Sequence, residues 1–236
     1  MSAGGEALWL LVGNSRWHWA ADQGCERRYW SERPEPNLPQ QPQGWAAVGQ
    51  VPAQLEPGRR VTLAQVPRLD APPWLGIDRA LAGYQAWCRS GTSVLVADAG
   101  TALSLTRVDG QGRFAGGRLM VGAALQLQAL HRGTQGLPAL PPEQGLLLAA
   151  ADAEAWPSDT KAAMACGVLQ GLAGALQRAA MQLAAHDSGV QFWLTGGDGP
   201  VLAPLLQQTE PGTARPLWRF DPGLCLDGLA RVASLS

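Results

Sequence analysis

Val94-Leu95-Val96-Ala97-Asp98-Ala99-Gly100-Thr101-Ala102-Leu103-Ser104-Leu105-Thr106 is the stretch on which the fold of this chain turns. Two β-rich apolar runs flank a four-residue interruption. The pattern predicts a strand over Thr92–Ala97, a tight loop at Asp98–Thr101, and a second strand over Ala102–Val108. Gly100 lets the main chain turn sharply and come close to a ligand. Thr101 brings a hydroxyl and a backbone N–H, both donors for phosphate oxygens. Asp98, at the end of an apolar strand, is a costly charge unless it meets a cation or hydrogen-bond donors. Taken alone, the segment reads as a β-hairpin with Asp in its turn or as a phosphate cradle.

Working outward, the same construction opens the chain. Ala7–Val12 is apolar, Gly13-Asn14-Ser15 interrupts it, and apolar character resumes at Trp17. Two strand–glycine loop–strand units therefore open the two halves, which predicts a duplicated α/β architecture with a ligand cleft between the halves. Residues 31–44 read as a loop, Trp45–Val51 and Val61–Val66 as short strands, and Pro67–Pro73 as a linker. Gly76–Arg89 carries Ile77, Leu81, Tyr84 and Cys88 at helical spacing, with Asp78 in the first turn, where a carboxylate suits the helix dipole. Ala123–His131 reads as a helix and 133–158 as a mobile Gly-, Pro- and Ala-rich stretch. The longest helix is expected over Thr160–Ala185, with Met164, Val168, Leu172, Leu176 and Leu183 along one stripe. A strand over Gln191–Leu194, a helix near Val201–Gln208 and a final helix over Leu224–Val232 complete the pattern.

Composition removes several functional classes. The 236 residues are 46% hydrophobic and 16% charged, with a net charge of −1. That is a globular composition, and its charge gives no reason to expect nucleic acid as a partner. Of the 18 basic residues only Lys161 is a lysine. It follows Thr160 rather than a glycine, so neither a GxxxxGK[ST] phosphate loop nor a VAIK-type strand lysine exists. Cys25, Cys88, Cys166 and Cys225 are scattered, as are His18, His131 and His186. Buried reduced thiols are expected, not a zinc site or a disulfide framework. The N-terminus has no signal-peptide pattern and no apolar run approaches a bilayer span, so no membrane partner is expected and the cytoplasm is the default compartment.

Five segments carry candidate chemistry, each with a plain structural reading beside it. In Gly13-Asn14-Ser15-Arg16, a turn presents backbone N–H groups, and Arg16 adds positive charge for phosphate; an ordinary turn is the alternative. Gly76-Ile77-Asp78-Arg79 places a carboxylate and a guanidinium at a helix start, suited to a general base and an acid-binding group; a helix-terminal charge pair is the alternative. Asp98–Thr101 is the cradle or hairpin described above. Thr195-Gly196-Gly197-Asp198-Gly199 reads as a nucleotide-packing loop or a plain strand-to-helix turn. Thr160 stands at the start of the longest helix, where a simple cap would also place it.

In order, these segments resemble the type III pantothenate kinases: Leu11-Val12-Gly13-Asn14-Ser15, Gly76-Ile77-Asp78-Arg79, Asp98-Ala99-Gly100-Thr101-Ala102-Leu103, Phe114-Ala115-Gly116-Gly117, Thr160 and Thr195-Gly196-Gly197. The resemblance implies the duplicated actin-like (acetate/sugar kinase–Hsp70–actin) fold, with subdomains at 1–90 and 91–236 around a nucleotide cleft. It implies ATP-dependent phosphorylation of pantothenate to 4'-phosphopantothenate, the first step of coenzyme A synthesis. Asp78 would accept the proton of the substrate hydroxyl, and Gly76, Ile77, Asp78, Arg79 and Thr160 would hold pantothenate. Val12, Gly13, Asn14, Ser15, Arg16 and Thr101 would contact ATP. Asp98 would bind a monovalent cation, K⁺ or NH₄⁺, beside the Mg²⁺ that accompanies ATP. The active form would be a homodimer, with Thr160 reaching the neighbouring subunit's site. The chain departs from the family pattern at Leu11, where the family has Asp, and at Ser15, where it has Thr; this wording resembles the cyanobacterial variant. Loss of that Asp motivates the alternative of a catalytically weak, ligand-binding regulatory member. Another sugar or acid kinase of the superfamily is the third reading.

Overall fold

The computed structural model describes residues 6–24, 26–38, 40–141, 156–207 and 216–235. Cys25, Gln208 and the 142–155 part of the expected mobile stretch lie outside the described residues. The chain forms two compact units. One comprises 1–94, 106–116 and 222–236, the other 95–105 and 117–221.

The first unit is built on a four-stranded sheet: β1 (Ala7–Val12), β2 (Trp17–Gln23), β3 (Glu26–Glu32) and β4 (Gly44–Ala47), in the order β3-β2-β1-β4. β1 runs antiparallel to β2 and parallel to β4. A strand between two neighbours and covered on both faces should be apolar throughout, and β1 is. Leu8, Leu10 and Val12 pack with Trp17, Trp19 and Trp45 on one face. Helix α1 (Ile77–Ser90) is stopped by Gly91, which adopts φ 65° and donates its N–H to the Trp87 carbonyl. This is a left-handed helix stop that β-carbon-bearing residues make less readily.

β3 sits where a loop was expected at its C-terminal end. Its Glu-Arg-Arg-Tyr-Trp-Ser-Glu sequence lacks apolar alternation because it is an edge strand, where charges block further pairing. Trp30 of β3 stacks on Trp19 with centroids 6.0 Å apart. The strand expected over Trp45–Val51 is only Gly44–Ala47. The strand expected over Val61–Val66 is not formed: Leu63–Gln65 is a 3₁₀ turn, and only Arg60 bridges to Trp45. The Gln65 Oε1 accepts the Thr62 N–H at 2.8 Å and its hydroxyl at 2.9 Å. This local closure outcompetes strand pairing.

The second sheet has the order β7-β6-β5-β8-β9. Its strands are β5 (Val94–Ala99), β6 (Ala102–Val108), β7 (Phe114–Val121), β8 (Gln191–Thr195) and β9 (Trp218–Phe220). Helices α2 (Ala123–Gly133), α3 (Thr160–Ala184) and α4 (Gly199–Gln207) belong to the second unit. The predicted α3 stripe is buried at Met164, Val168, Leu172 and Leu176, against Leu103, Leu105, Leu194 and Leu202. Each such leucine contributes about 1.5–3 kcal/mol on leaving water. The three-residue β9 escaped the sequence pattern because nothing so short has a measurable period.

The last helix, α5 (Leu224–Ala233), returns to the first unit and packs on α1, β1 and β4. Among the described cysteines, Cys225 is buried, as expected. Cys88 and Cys166 are only half-buried, because they lie at the margins of their helices' apolar stripes. None of the three is in a disulfide.

Candidate active site

In the first unit, the turn after β1 closes through the Gly13 N–H, which donates to the Arg16 carbonyl at 3.0 Å. Val12 is buried, Gly13 half-buried, and Asn14, Ser15 and Arg16 are exposed. The Val12 carbonyl accepts from the amides of Val48 at 3.0 Å and Gly49 at 3.1 Å, so the segment after β4 is fastened to this turn. Val48 also lies beside the start of α1: a β-carbon on Gly76 would stand 3.8 Å from its Cγ1. The residues expected to serve ATP and pantothenate within this unit are thus linked through one short segment.

Gly76 is the N-cap of α1, with Ile77 buried behind it. The Asp78 carboxylate folds back over Gly76, where a β-carbon would lie 2.5 Å from Oδ1. The glycine is needed to seat the acid. Oδ1 accepts the Arg79 N–H at 2.8 Å. Burial raises the pKa of Asp78 against the opposing pull of that amide and of the Arg79 charge. Arg79 itself is buried, and its Nε donates to Thr106 Oγ1 at 3.1 Å.

In the second unit, Asp98 lies inside β5 rather than in the loop after it, and is half-buried. The loop proper is Gly100-Thr101, with Thr101 exposed. Its Thr101 carbonyl accepts the Gly122 N–H at 3.2 Å, just before α2. Gly196, at φ 92°, faces Asp98: a β-carbon there would lie 2.6 Å from Oδ1 and would also overlap the Ala99 carbonyl. The Asp198 N–H donates to that same carbonyl at 2.9 Å. The Asp98–Thr101 and Thr195–Gly199 loops therefore form one backbone-locked cluster.

Asp198 is a member of this cluster that the sequence reading did not single out. Burial pushes its pKa up to about 6, against a hydrogen bond from the Ala123 amide at the start of α2. Its signal was present, a carboxylate after a glycine pair at a strand-to-helix turn, but its partner lies 75 residues away in sequence. Thr160 is exposed at the first turn of α3 and does not cap it. Asp159 is the cap, accepting the Ala162 N–H at 3.0 Å. Thr160 instead lines an apolar groove of about 1320 Å³ with Met120, Leu130, Met164, Val168 and Leu172.

Oxygen ligands are the chemistry available for a cation. The Asp98 carboxylate and the Ala99 carbonyl both border Gly196, a hard-donor set of the kind Mg²⁺ and alkali ions take. Among the described residues no three of His, Cys, Asp or Glu gather to hold a metal by themselves. The protein donors fit a cation that shares its shell with substrate oxygens.

Two sheets in these orders, with a glycine turn between the first two strands of the N-terminal unit and another between β5 and β6, define the duplicated actin-like fold of the ATPase and sugar-kinase superfamily. A putative Baf family transcriptional activator from Campylobacter jejuni superposes with TM-score 0.61 at 20% identity, covering 97% of this chain and 98% of that one. A ROK family glucokinase from Streptomyces griseus superposes with TM-score 0.56 at 12% identity, covering 98% and 100%. The sequence narrows the class. The type III pantothenate kinase family profile matches residues 47–182. A type III pantothenate kinase of Synechococcus elongatus is 36% identical over 96% of each chain, and one from a Synechocystis species is 34% identical over 95% of this chain and 89% of that one. The chain belongs to the type III pantothenate kinase family.

Proposed function

We propose that this protein is an ATP-dependent kinase that phosphorylates pantothenate to 4'-phosphopantothenate, opening coenzyme A synthesis. The observation that carries the reading is Asp78: a carboxylate held at a helix start, made more basic by burial, within the Gly76–Arg79 segment. Transfer of a γ-phosphoryl group needs positioning and charge neutralisation above all. Asp78 accepts the proton from the primary hydroxyl of pantothenate as the hydroxyl oxygen attacks. Proton acceptance of this kind contributes roughly 10²–10⁴-fold in rate. Gly76, Ile77, Arg79 and Thr160 hold the acceptor. The Val12–Arg16 turn and Thr101 hold ATP, with the Arg16 guanidinium opposite phosphate charge.

A divalent ion bound with ATP supplies charge neutralisation for its phosphates. In this reading Asp98 holds a monovalent cation, K⁺ or NH₄⁺, through its carboxylate. The functional unit is a homodimer in which Thr160 completes the neighbouring subunit's pantothenate site. Support comes from the apolar groove beside Thr160 and from Leu119 and Val121 near it, which are 65% and 51% exposed. The same reading places the protein in the cytoplasm. Among the described residues no helix is long and apolar enough to cross a membrane.

A coupled ADP-release assay tests the reading. Pantothenate-dependent ADP formation, higher with K⁺ than with Na⁺, is the expected result. No pantothenate-dependent ADP with either cation would sink it, and ATP binding without product would select the regulatory alternative.

A further inference from the structure

We propose that Thr106 is a positioning residue for the acceptor: its hydroxyl holds the Arg79 guanidinium in the plane that receives the carboxylate of pantothenate. The inference rests on the reading of Arg79 as the acid-binding group of the Gly76–Arg79 segment.

Helix and strand spacing supply the first observation. Arg79 and Gly83 stand one turn apart on α1 and share a face of it. Thr106 and Val108 alternate with Arg107 on β6 and share a face of that strand. Both residues belong to the part of β6 that lies in the first unit. The two faces meet at Gly83, where a β-carbon would stand 3.0 Å from Val108 Cγ2 and 3.5 Å from Thr106 Cγ2. A side chain at that position would press the helix and the strand apart. One turn earlier on the same helix face, Arg79 Nε donates to Thr106 Oγ1 at 3.1 Å.

The setting makes that bond count. Arg79 is 8% exposed and Thr106 1%. A guanidinium with so little water around it depends on its hydrogen bonds. Threonine is branched at Cβ and stiff about χ1. The Thr106 methyl faces Gly83 and the hydroxyl faces Arg79, so each branch has a fixed place. A guanidinium is planar, and a bond held at Nε sets the direction of its whole donor fork. A carboxylate is taken bidentately by two N–H groups on one edge of that fork. Loss of the Nε bond frees the plane to turn, and the edge no longer faces the acid. Thr106 thus acts on the substrate only through Arg79.

Steady-state kinetics test the assignment. Thr106→Val keeps the branched shape and removes the hydroxyl. It is expected to raise KM for pantothenate about tenfold, the size of one lost hydrogen bond to a charged group. The kcat and the KM for ATP are expected to stay within about twofold of wild type, the signature of lost uniform binding. Thr106→Ser restores the hydroxyl and is expected to recover most of the pantothenate KM. A merely structural role would lower the melting temperature or the active fraction and leave KM alone. A pantothenate KM within about twofold of wild type in Thr106→Val overturns the proposal, as does a serine variant no better than the valine one. Thr106→Ala, which also lacks the hydroxyl, is read in the same way where the valine chain fails to fold. Arg79→Ala that binds pantothenate as tightly as wild type would instead refute the acid-binding reading of Arg79, and the proposal with it.

Discussion

The Asp78 carboxylate accepts the main-chain N–H of Arg79 at 2.8 Å while its own burial holds its pKa above the ordinary value of 3.8. The two influences oppose each other, and burial prevails. A base of raised pKa is protonated, and idle, over a wider acid range. The acid limb of kcat/KM is therefore expected at a pH above 3.8. Asp78→Asn is expected to lower kcat by about 10²–10⁴-fold while pantothenate still binds. Near-normal turnover in that variant would remove Asp78 as the base.

Gly76→Ala tests the seat of that carboxylate. The new β-carbon would fall 2.5 Å from Oδ1, so the acid must move. The expected result is a fall in kcat of about tenfold or more with little change in melting temperature, since a 1 Å misplacement of a reacting group costs up to about 10²-fold. An unchanged kcat would show that the acid's position does not matter.

Mixed dimers test whether Thr160 acts across subunits. Asp78→Asn chains and Thr160→Ala chains are each expected to be impaired alone. Refolded together, they form hybrids containing one site with both wild-type residues. Recovery of activity on mixing is the expected result. Activity no greater than the average of the two separate variants would place Thr160 in its own subunit's site.

Asp198 gives a stability prediction with a defined sign. Its pKa is about 6 in the folded chain against an ordinary 3.8. Between these values the folded state binds the proton more tightly, so this group's contribution to stability falls as pH rises through the window. Asp198→Asn keeps an acceptor for the Ala123 amide and removes the buried charge. With partial exposure discounted, it is expected to stabilise by about 1–2 kcal/mol above pH 6. That gain corresponds to about 4 °C, and it should vanish near pH 4. Thermal melts across that range check it, and an equal shift at both ends would exclude the titration.

Asp227 of α5 anchors a polar network in the first unit. It accepts from Arg27 Nη1 at 2.8 Å, Tyr29 Oη at 2.7 Å and Arg89 Nη2 at 2.5 Å. It thereby ties β3 to α1 and to the last helix. Removing the carboxylate leaves two guanidinium groups facing each other in a half-buried setting. Asp227→Ala is expected to cost about 2–3 kcal/mol, read as a fall in the denaturation midpoint. Chemistry in the remaining folded protein should be unaffected.

Local patterns in the sequence determined much of this. Ala7–Val12, Ala102–Val108 and the stripe from Met164 to Leu176 were legible because burial imposes a period that the residues must follow. The motif order from Gly76 to Thr160 was legible because each segment is short and contiguous. Where local chemistry and tertiary pairing compete, the sequence misled. Val61–Val66 has strand composition but closes on Gln65, and the charged β3 is a strand because β2 offers it an edge. Only the tertiary structure decided which carboxylates become more basic, since burial at Asp78 and Asp198 depends on what is packed around them. It also decided that Asp98 meets the Thr195–Gly199 loop about a hundred residues on, and that Arg79 meets Thr106. These contacts are set by strand register and chain return, and no local pattern of residues encodes them.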